Sequence, residues 1–325
     1  MSYKKFISYF LFSLVCTIAV FQPALFYLNL DTGCEREEYL AEWIQAKESI
    51  SQGLPAPKIV LLSGSNTLFG IDAEQMEQKL KIPVLNMGLH AGMGEYVFYA
   101  GKSVLHAGDV VILPLEYSYY ELATLSGEGV AFVTHYDSSC VQALPYGEQI
   151  RLIYNYSFVD MLSDLVSGLR GTAEKKRTIY SVENFDSRGD IRGNDVKGSS
   201  MTAPAKYAKV FSDAEVPNAK SRRILEDFLT YCAKNNITVY AAWPSYLTCD
   251  RKLDSEDSDR IRQIMDFWSA HNVKMLGDYE ENLYDVEMFF DTNYHLNDAG
   301  RKIRTENLLK DMQEDRFLSE YFIEK

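Results

Sequence analysis

Cysteine and histidine are both scarce in this chain, five of each in 325 residues. Cys16, Cys34, Cys140, Cys232 and Cys249 are scattered, so they make neither a structural metal cluster nor a disulfide framework. Cys232 and Cys249 are the one candidate pair for an oxidising compartment, and two separate buried thiols fit the sequence as well. The histidines contain no ligand-spaced pair, so no metal and no cofactor are expected. Positive charge is also short. With 33 Lys and Arg against 46 Asp and Glu, the formal net charge is −13, which argues against nucleic acid or an anionic surface being recognised through a general basic face. Internal repeats and low-complexity tracts are missing too.

What the chain does have is apolar material, 46% of its residues, with 13% aromatic. That is enough for a sizeable core in one large or two small domains. The apolar residues include one long uncharged run, Phe6 to about Leu30, which follows Lys4 and Lys5 and precedes Asp31, Glu35, Glu37 and Glu38. The run is long enough to cross a bilayer as a helix. Gln22 and Pro23 interrupt it near one end, where a kink is tolerated. Basic residues before it place the N-terminus inside and the main body outside the cell membrane. A cleaved signal peptide is the alternative, but no small-x-small site follows, and Leu14-Val15 before Cys16 lacks the small residue of lipoprotein processing. A retained single-pass anchor over residues 1–30 is the expectation.

Residues 31–56 read as a stalk helix closed by Gly53-Leu54-Pro55-Ala56-Pro57. Residues 57–310 then read as one α/β domain and 311–325 as a tail. Short branched-apolar runs at Ile59–Leu62, Val84–Asn86, Val110–Leu113, Ile237–Trp243 and Val273–Leu276 alternate with helical spacing at 73–80, 95–105, 221–234 and 258–271. Strands alternating with helices imply a parallel sheet of about five strands in a three-layer α/β/α sandwich. From about 122 to 218 that rhythm breaks into aromatic segments, a basic cluster at Lys175-Lys176-Arg177 and a turn-rich run at Asp186–Asp190. This stretch is expected to be an insertion over the carboxyl edge of the sheet, either surface elaboration or a lid and docking face.

The chemistry centres on Leu62-Ser63-Gly64-Ser65-Asn66-Thr67, where a strand turns sharply into a helix. Such a corner holds a side chain beside free backbone N–H groups, making Ser65 a nucleophile candidate; the same serines also serve simply as helix caps. What separates the two readings is a base. Asp291-Thr292-Asn293-Tyr294-His295 lies just before the last helix, and an imidazole oriented by a carboxylate is what a serine hydroxyl needs for activation. His106, His135 and His271 read as surface or helix-end residues. His90, Asn66 and Glu116 fall on segments that should line the same sheet edge.

The order of these elements resembles the SGNH, or GDSL-type, hydrolase and acyltransferase superfamily over about Pro57 to Leu309. The resemblance implies Ser65 as nucleophile, Asp291 and His295 as the remaining pair, and the N–H groups of Ser65 and Gly88 as the oxyanion hole. Three features depart from the pattern: Gly64 stands where the first block has aspartate, Glu116 stands near the place of the oxyanion-hole asparagine, and Asp291 lies one residue further from His295. The departures resemble the membrane-anchored members that modify cell-envelope polymers, such as alginate O-acetylation and teichoic-acid D-alanylation proteins. The resemblance thus implies an extracytoplasmic acyltransferase or esterase acting on a polysaccharide beside a multispanning membrane-bound O-acyltransferase. A catalytically silent accessory protein that binds such a partner or a glycan is the alternative implied by the missing asparagine.

Overall fold

Apolar strand patterning places the body of the protein around a buried parallel sheet, and the computed structural model describes residues 3–121, 125, 127–170, 178–194, 211, 215–248 and 255–314. The helices among them are α1 (Tyr3–Leu28), α2 (Glu38–Gly53), α3 (Ser65–Gly70), α4 (Ala73–Leu80), α5 (Tyr96–Val104), α6 (Ser118–Glu121), α7 (Gly127–Tyr136), α8 (Ser138–Ala143), α9 (Tyr146–Asn155), α10 (Phe158–Arg170), α11 (Ala219–Lys234), α12 (Ser255–Ala270) and α13 (Asp298–Glu314). The strands are β1 (Ile59–Ser63), β2 (Val84–Gly88), β3 (Val110–Leu113), β4 (Thr238–Ala242), β5 (Tyr246–Leu247), β6 (Lys274–Leu276) and β7 (Leu283–Tyr284). They form two compact units. One comprises residues 1–41 and 125–176, the other 42–124 and 177–325.

The larger unit holds a five-stranded, all-parallel sheet in the order β2-β1-β3-β4-β6. Strands β1, β2 and β3 are buried along their whole length, as expected of a sheet covered on both faces. Ile59 and Leu61 of β1, with Val110 and Ile112 of β3, pack against Ala73 and Met76 of α4 and Leu308, Leu309 and Met312 of α13. Leu62 points the other way, against Gly101 of α5, where an added methyl would meet it at 2.4 Å. Helices α11 and α12 cover β4 and β6. Because the chain goes from β1 to β2 on one side and then to β3 on the other, the carboxyl ends of β1 and β3 flank the crevice where open α/β sheets bind ligands. Ser65 follows β1, and Glu116 follows β3.

The smaller unit contains α1, α7, α8, α9 and α10. Helix α1 is long and apolar enough to cross a membrane, and only 17% of its most apolar window is buried, so it is not the core helix of this unit. Two expectations about domain layout need correction. The stalk is a helix only over α2, which starts in one unit and ends in the other. The 122–218 insertion is also not one elaboration of the sheet. Its helical part, α7 to α10, belongs with α1, while residues 178–194 belong with the sheet. The reason is packing: α9 and α10 bury Leu152, Ile153, Tyr156 and Met161 within the smaller unit, whereas Ile191 hydrogen-bonds to Leu68 in the larger one. The basic cluster 175–177, Cys249 and residues 315–325 lie outside the described residues.

Leu61 is fully buried on a central strand. Leu61→Ala is expected to destabilise the larger unit by about 2–5 kcal/mol, read as a lowered midpoint in thermal or denaturant unfolding.

Candidate active site

The corner after β1 is held by a carboxylate. Glu116, buried on the segment after β3, accepts from Ser63 Oγ at 2.7 Å, Gly64 N at 3.1 Å and Asn66 N at 2.9 Å. A side chain at position 64 would collide with it, since a Cβ there would lie 2.5 Å from Glu116 Oε1. Gly64 is therefore required by Glu116, which accounts for the glycine standing where the resembled family carries aspartate. Asn66 is fully buried and equally committed. Its amide donates to Ser63 Oγ and Pro114 O, and its Oδ1 accepts from Arg304 Nη2 at 2.8 Å. Neither Asn66 nor Glu116 lines the site as a free donor; both brace the loop that presents Ser65.

Ser65 opens α3 and stands 2.7 Å, Oγ to Nε2, from His295. His295 Nδ1 stands 2.7 Å from Asp291 Oδ1. An ionised carboxylate only accepts, so the network assigns the proton to Nδ1 and leaves the Nε2 lone pair facing the serine hydroxyl. The longer Asp-to-His spacing is absorbed by a turn: Thr292 Oγ1 accepts the N–H groups of Tyr294 and His295, and Phe290 N donates to His295 O at 2.8 Å. Phe69 of α3 stacks on the imidazole, with centroids 4.3 Å apart and planes 13° from parallel. Ser65, His295 and Asp291, singled out from separate stretches of sequence, thus meet in one hydrogen-bonded line at the carboxyl edge of the sheet.

Two other expected members do not join it. The Gly88 N–H donates to Asn86 Oδ1 at 2.8 Å, so it is already engaged and is not free for the oxyanion role that the resemblance gives it. The glycine is needed instead for close approach, because a Cβ there would lie 2.5 Å from the Leu68 backbone nitrogen. His90 caps a short turn, its Nδ1 accepting from Gly92 N at 3.2 Å, and no hydrogen bond joins it to Ser65, Asp291 or His295 among the described residues.

Several residues that sequence reasoning missed support the site. Tyr180 donates to Asp291 Oδ2 at 2.6 Å, while its ring stacks on Trp43 and meets Phe69 edge-on. Burial pushes the Asp291 carboxyl up, but the hydrogen bonds from His295 and Tyr180 and the charge on His295 hold it below the usual carboxylate range. Arg304, fully buried on α13, donates to Asn66 O, Ser245 Oγ and Trp243 O as well as to Asn66 Oδ1; desolvation lowers its pKa to about 10. Lys47 of α2, also buried, donates to Asn86 O and Gly189 O at 2.6 and 2.7 Å. Asp190 accepts from Asn86 Nδ2 and Ala73 N, tying residues 186–190 to β2 and α4. For Lys47 the sequence signal is a charge on the same face of α2 as the buried Leu40, Trp43 and Ile44; Tyr180 and Asp190 lie outside any helix, and the buried face of α13 carries Arg301 and Thr305 beside Arg304.

The smaller unit brings the Cys34, His135 and Asp164 donor atoms within 4.8 Å of one another. His135 lies at the end of α7, one of the two places expected of it, and is buried there rather than on the surface. These groups serve a hydrogen-bond network: Tyr156 OH donates to Asp164 and meets His135 Nε2, Thr32 Oγ1 meets His135 Nδ1, and Arg36 pairs with Asp164 at 2.8 Å. Burial lifts the Cys34 thiol to about 12 and lowers the His135 pKa. A protonated thiol beside an arginine-paired carboxylate is a poor donor set for a cation.

Glu116→Gln is expected to cost about 1–3 kcal/mol, because whichever way the amide is placed one backbone N–H loses its acceptor. Unfolding measurements check the cost. For Tyr180→Phe, the ring packing stays but Asp291 loses a donor and its pKa rises. Phosphonylation of Ser65 by a fluorophosphonate should be several-fold slower, and as pH is lowered the rate should begin to fall at a higher pH than in the wild type. An unchanged pH profile would remove Tyr180 from the relay.

No protein-family model and no curated protein matches the chain.

Proposed function

We propose that this protein is a serine acyltransferase or esterase of the SGNH type, anchored by α1 with its body outside the cell membrane. The observation that carries the reading is the unbroken line Asp291–His295–Ser65, with both links at 2.7 Å. His295 Nε2 takes the Ser65 proton as Oγ attacks an acyl carbonyl, and Asp291 holds Nδ1–H and stabilises the imidazolium. The tetrahedral intermediate collapses with the proton passing from His295 to the leaving group, leaving an ester on Ser65. A second hydroxyl, from a glycan or from water, gives its proton to His295 and takes the acyl group. The same residues serve either acceptor. Ser65 stands at the first position of α3, where the helix ladder provides no acceptor for its N–H, so that group is the donor available to the oxyanion.

The polysaccharide acceptor and a multispanning O-acyltransferase partner are part of this proposal, supported by the resemblance and by an N-terminal helix of membrane-spanning length and composition. An accessory protein that binds but does not react is favoured by one observation, the engaged Gly88 N–H. A fluorophosphonate probe separates the two readings. The wild type should label at Ser65, whereas Ser65→Ala and His295→Ala should fold normally and not label. A wild type that stays unlabelled beside a reactive control hydrolase would leave only the accessory role.

A further inference from the structure

Helices α9 and α10 are amphipathic, and each carries an additional apolar stripe on its outer side. On α9, Tyr146, Ile150 and Tyr154 repeat every four residues, with exposures of 76%, 40% and 51%. On α10, Val159, Leu162 and Val166 follow a three- and four-residue spacing, exposed by 72%, 48% and 37%. The inward positions are filled separately, by Leu152, Ile153, Tyr156 and Met161. A helix in water keeps polar residues on the side away from its core, so an outward apolar stripe on each of these helices calls for an apolar neighbour.

The attachment to α1 says which neighbour. Gln22 Nε2 donates to Ile153 O at 2.8 Å and Tyr156 O at 2.9 Å, and Tyr154 OH donates to Ala19 O at 3.1 Å. The polar residue that interrupts the apolar run is thus satisfied by carbonyls at the C-terminal end of α9, a helix end whose own ladder leaves them open. If the hydrocarbon core begins at Phe6, after Lys4 and Lys5, a helix rising about 1.5 Å per residue leaves a core of about 30 Å near Phe26. Ala19 then lies roughly 10 Å below the outer boundary, the depth at which the apolar face of an interfacial helix sits. Tyrosines such as Tyr146 favour that boundary, and the deeper Tyr154 hydroxyl is satisfied by Ala19 O. Among the described side chains, the charges of the two helices are paired within the unit: Arg151 with Glu148, and Asp160 and Asp164 with Arg36.

We propose that α9 and α10, both packed on α1, lie in the outer leaflet of the membrane crossed by α1, with Tyr146, Ile150, Tyr154, Val159, Leu162 and Val166 against lipid acyl chains. The proposal rests on α1 spanning that membrane. The smaller unit would then be a lipid-seated platform held by one span and two interfacial helices.

The test uses the full-length protein in phosphatidylcholine nanodiscs with either ordinary or brominated acyl chains. Tryptophan is introduced as Phe12→Trp on α1, Ile150→Trp on α9, Leu162→Trp on α10 and Met265→Trp on exposed α12. Brominated chains should abolish most of the emission added at positions 12, 150 and 162 and spare that added at 265. Quenching at 12 without quenching at 150 and 162 overturns the interfacial placement of α9 and α10 and leaves the anchor standing; shielding of 150 and 162 from both bromine and aqueous acrylamide overturns it in favour of a protein covering these faces. Absence of quenching at 12 overturns the anchor, and the interfacial placement with it.

Discussion

Everything at the corner between β1 and α3 depends on a carboxylate placed where three donors converge. Glu116 holds Ser63 Oγ and the N–H groups of Gly64 and Asn66, and so fixes the turn from β1 into α3 that presents Ser65. Buried polar groups must be matched in this way, because an unmet donor at such a site costs more than a typical bond contributes. The constraint propagates outward. Glycine is forced at position 64, Asn66 is turned toward Pro114 and Arg304, and α13 must be long enough to bring Arg304 beneath the corner. His295 lies three residues before that same helix, so the segment carrying the imidazole leads directly into the helix whose Arg304 braces the corner of Ser65.

The sheet was legible in the sequence because strands buried on both faces are written as continuous apolar runs, and Ile59–Leu62, Val84–Asn86 and Val110–Leu113 carry no competing period. Ser65 and the Asp291/His295 pair stood out for a related reason. Each sits where a regular element begins or ends, a place that local pattern marks. What local pattern leaves out is where a hydrogen bond goes. Gly88 has the right residue type after the right strand, yet Asn86, two positions earlier, takes its N–H. Tyr180 is 111 residues from Asp291 in an irregular stretch, and no periodicity marks a residue whose role is one bond across the fold. Glu116 fell at the position expected of it but does the opposite of a donor's work.

The division of the 122–218 stretch has the same origin. Its helices looked like an elaboration of the sheet because they interrupt it in sequence, whereas their apolar faces pack with the N-terminal helix. Residues 178–194 return to the sheet through Ile191, Asp190 and Tyr180. A long insertion can be tolerated at little entropic cost, so its ends can serve one unit and its middle another. Here the returning segment reaches the relay itself, through the tyrosine that steadies Asp291.

The exchange of an amide for Glu116 raises an electrostatic question for the proposed acyl transfer. A negative charge near the serine opposes formation of an oxyanion, and in a dry site that opposition is large. Arg304 answers it. The guanidinium remains cationic despite a pKa lowered to about 10 by desolvation, and Glu116 is one of the charges that favour its protonated form. It donates to both Asn66 O and Asn66 Oδ1, next to the residue whose N–H Glu116 accepts. The corner therefore holds a buried cation as well as a buried carboxylate, the two linked through Asn66, whose N–H Glu116 accepts and whose O and Oδ1 accept from Arg304. On the proposed reading, a glutamate stands where the resembled family has an amide, and an arginine from the last helix is buried in the same corner.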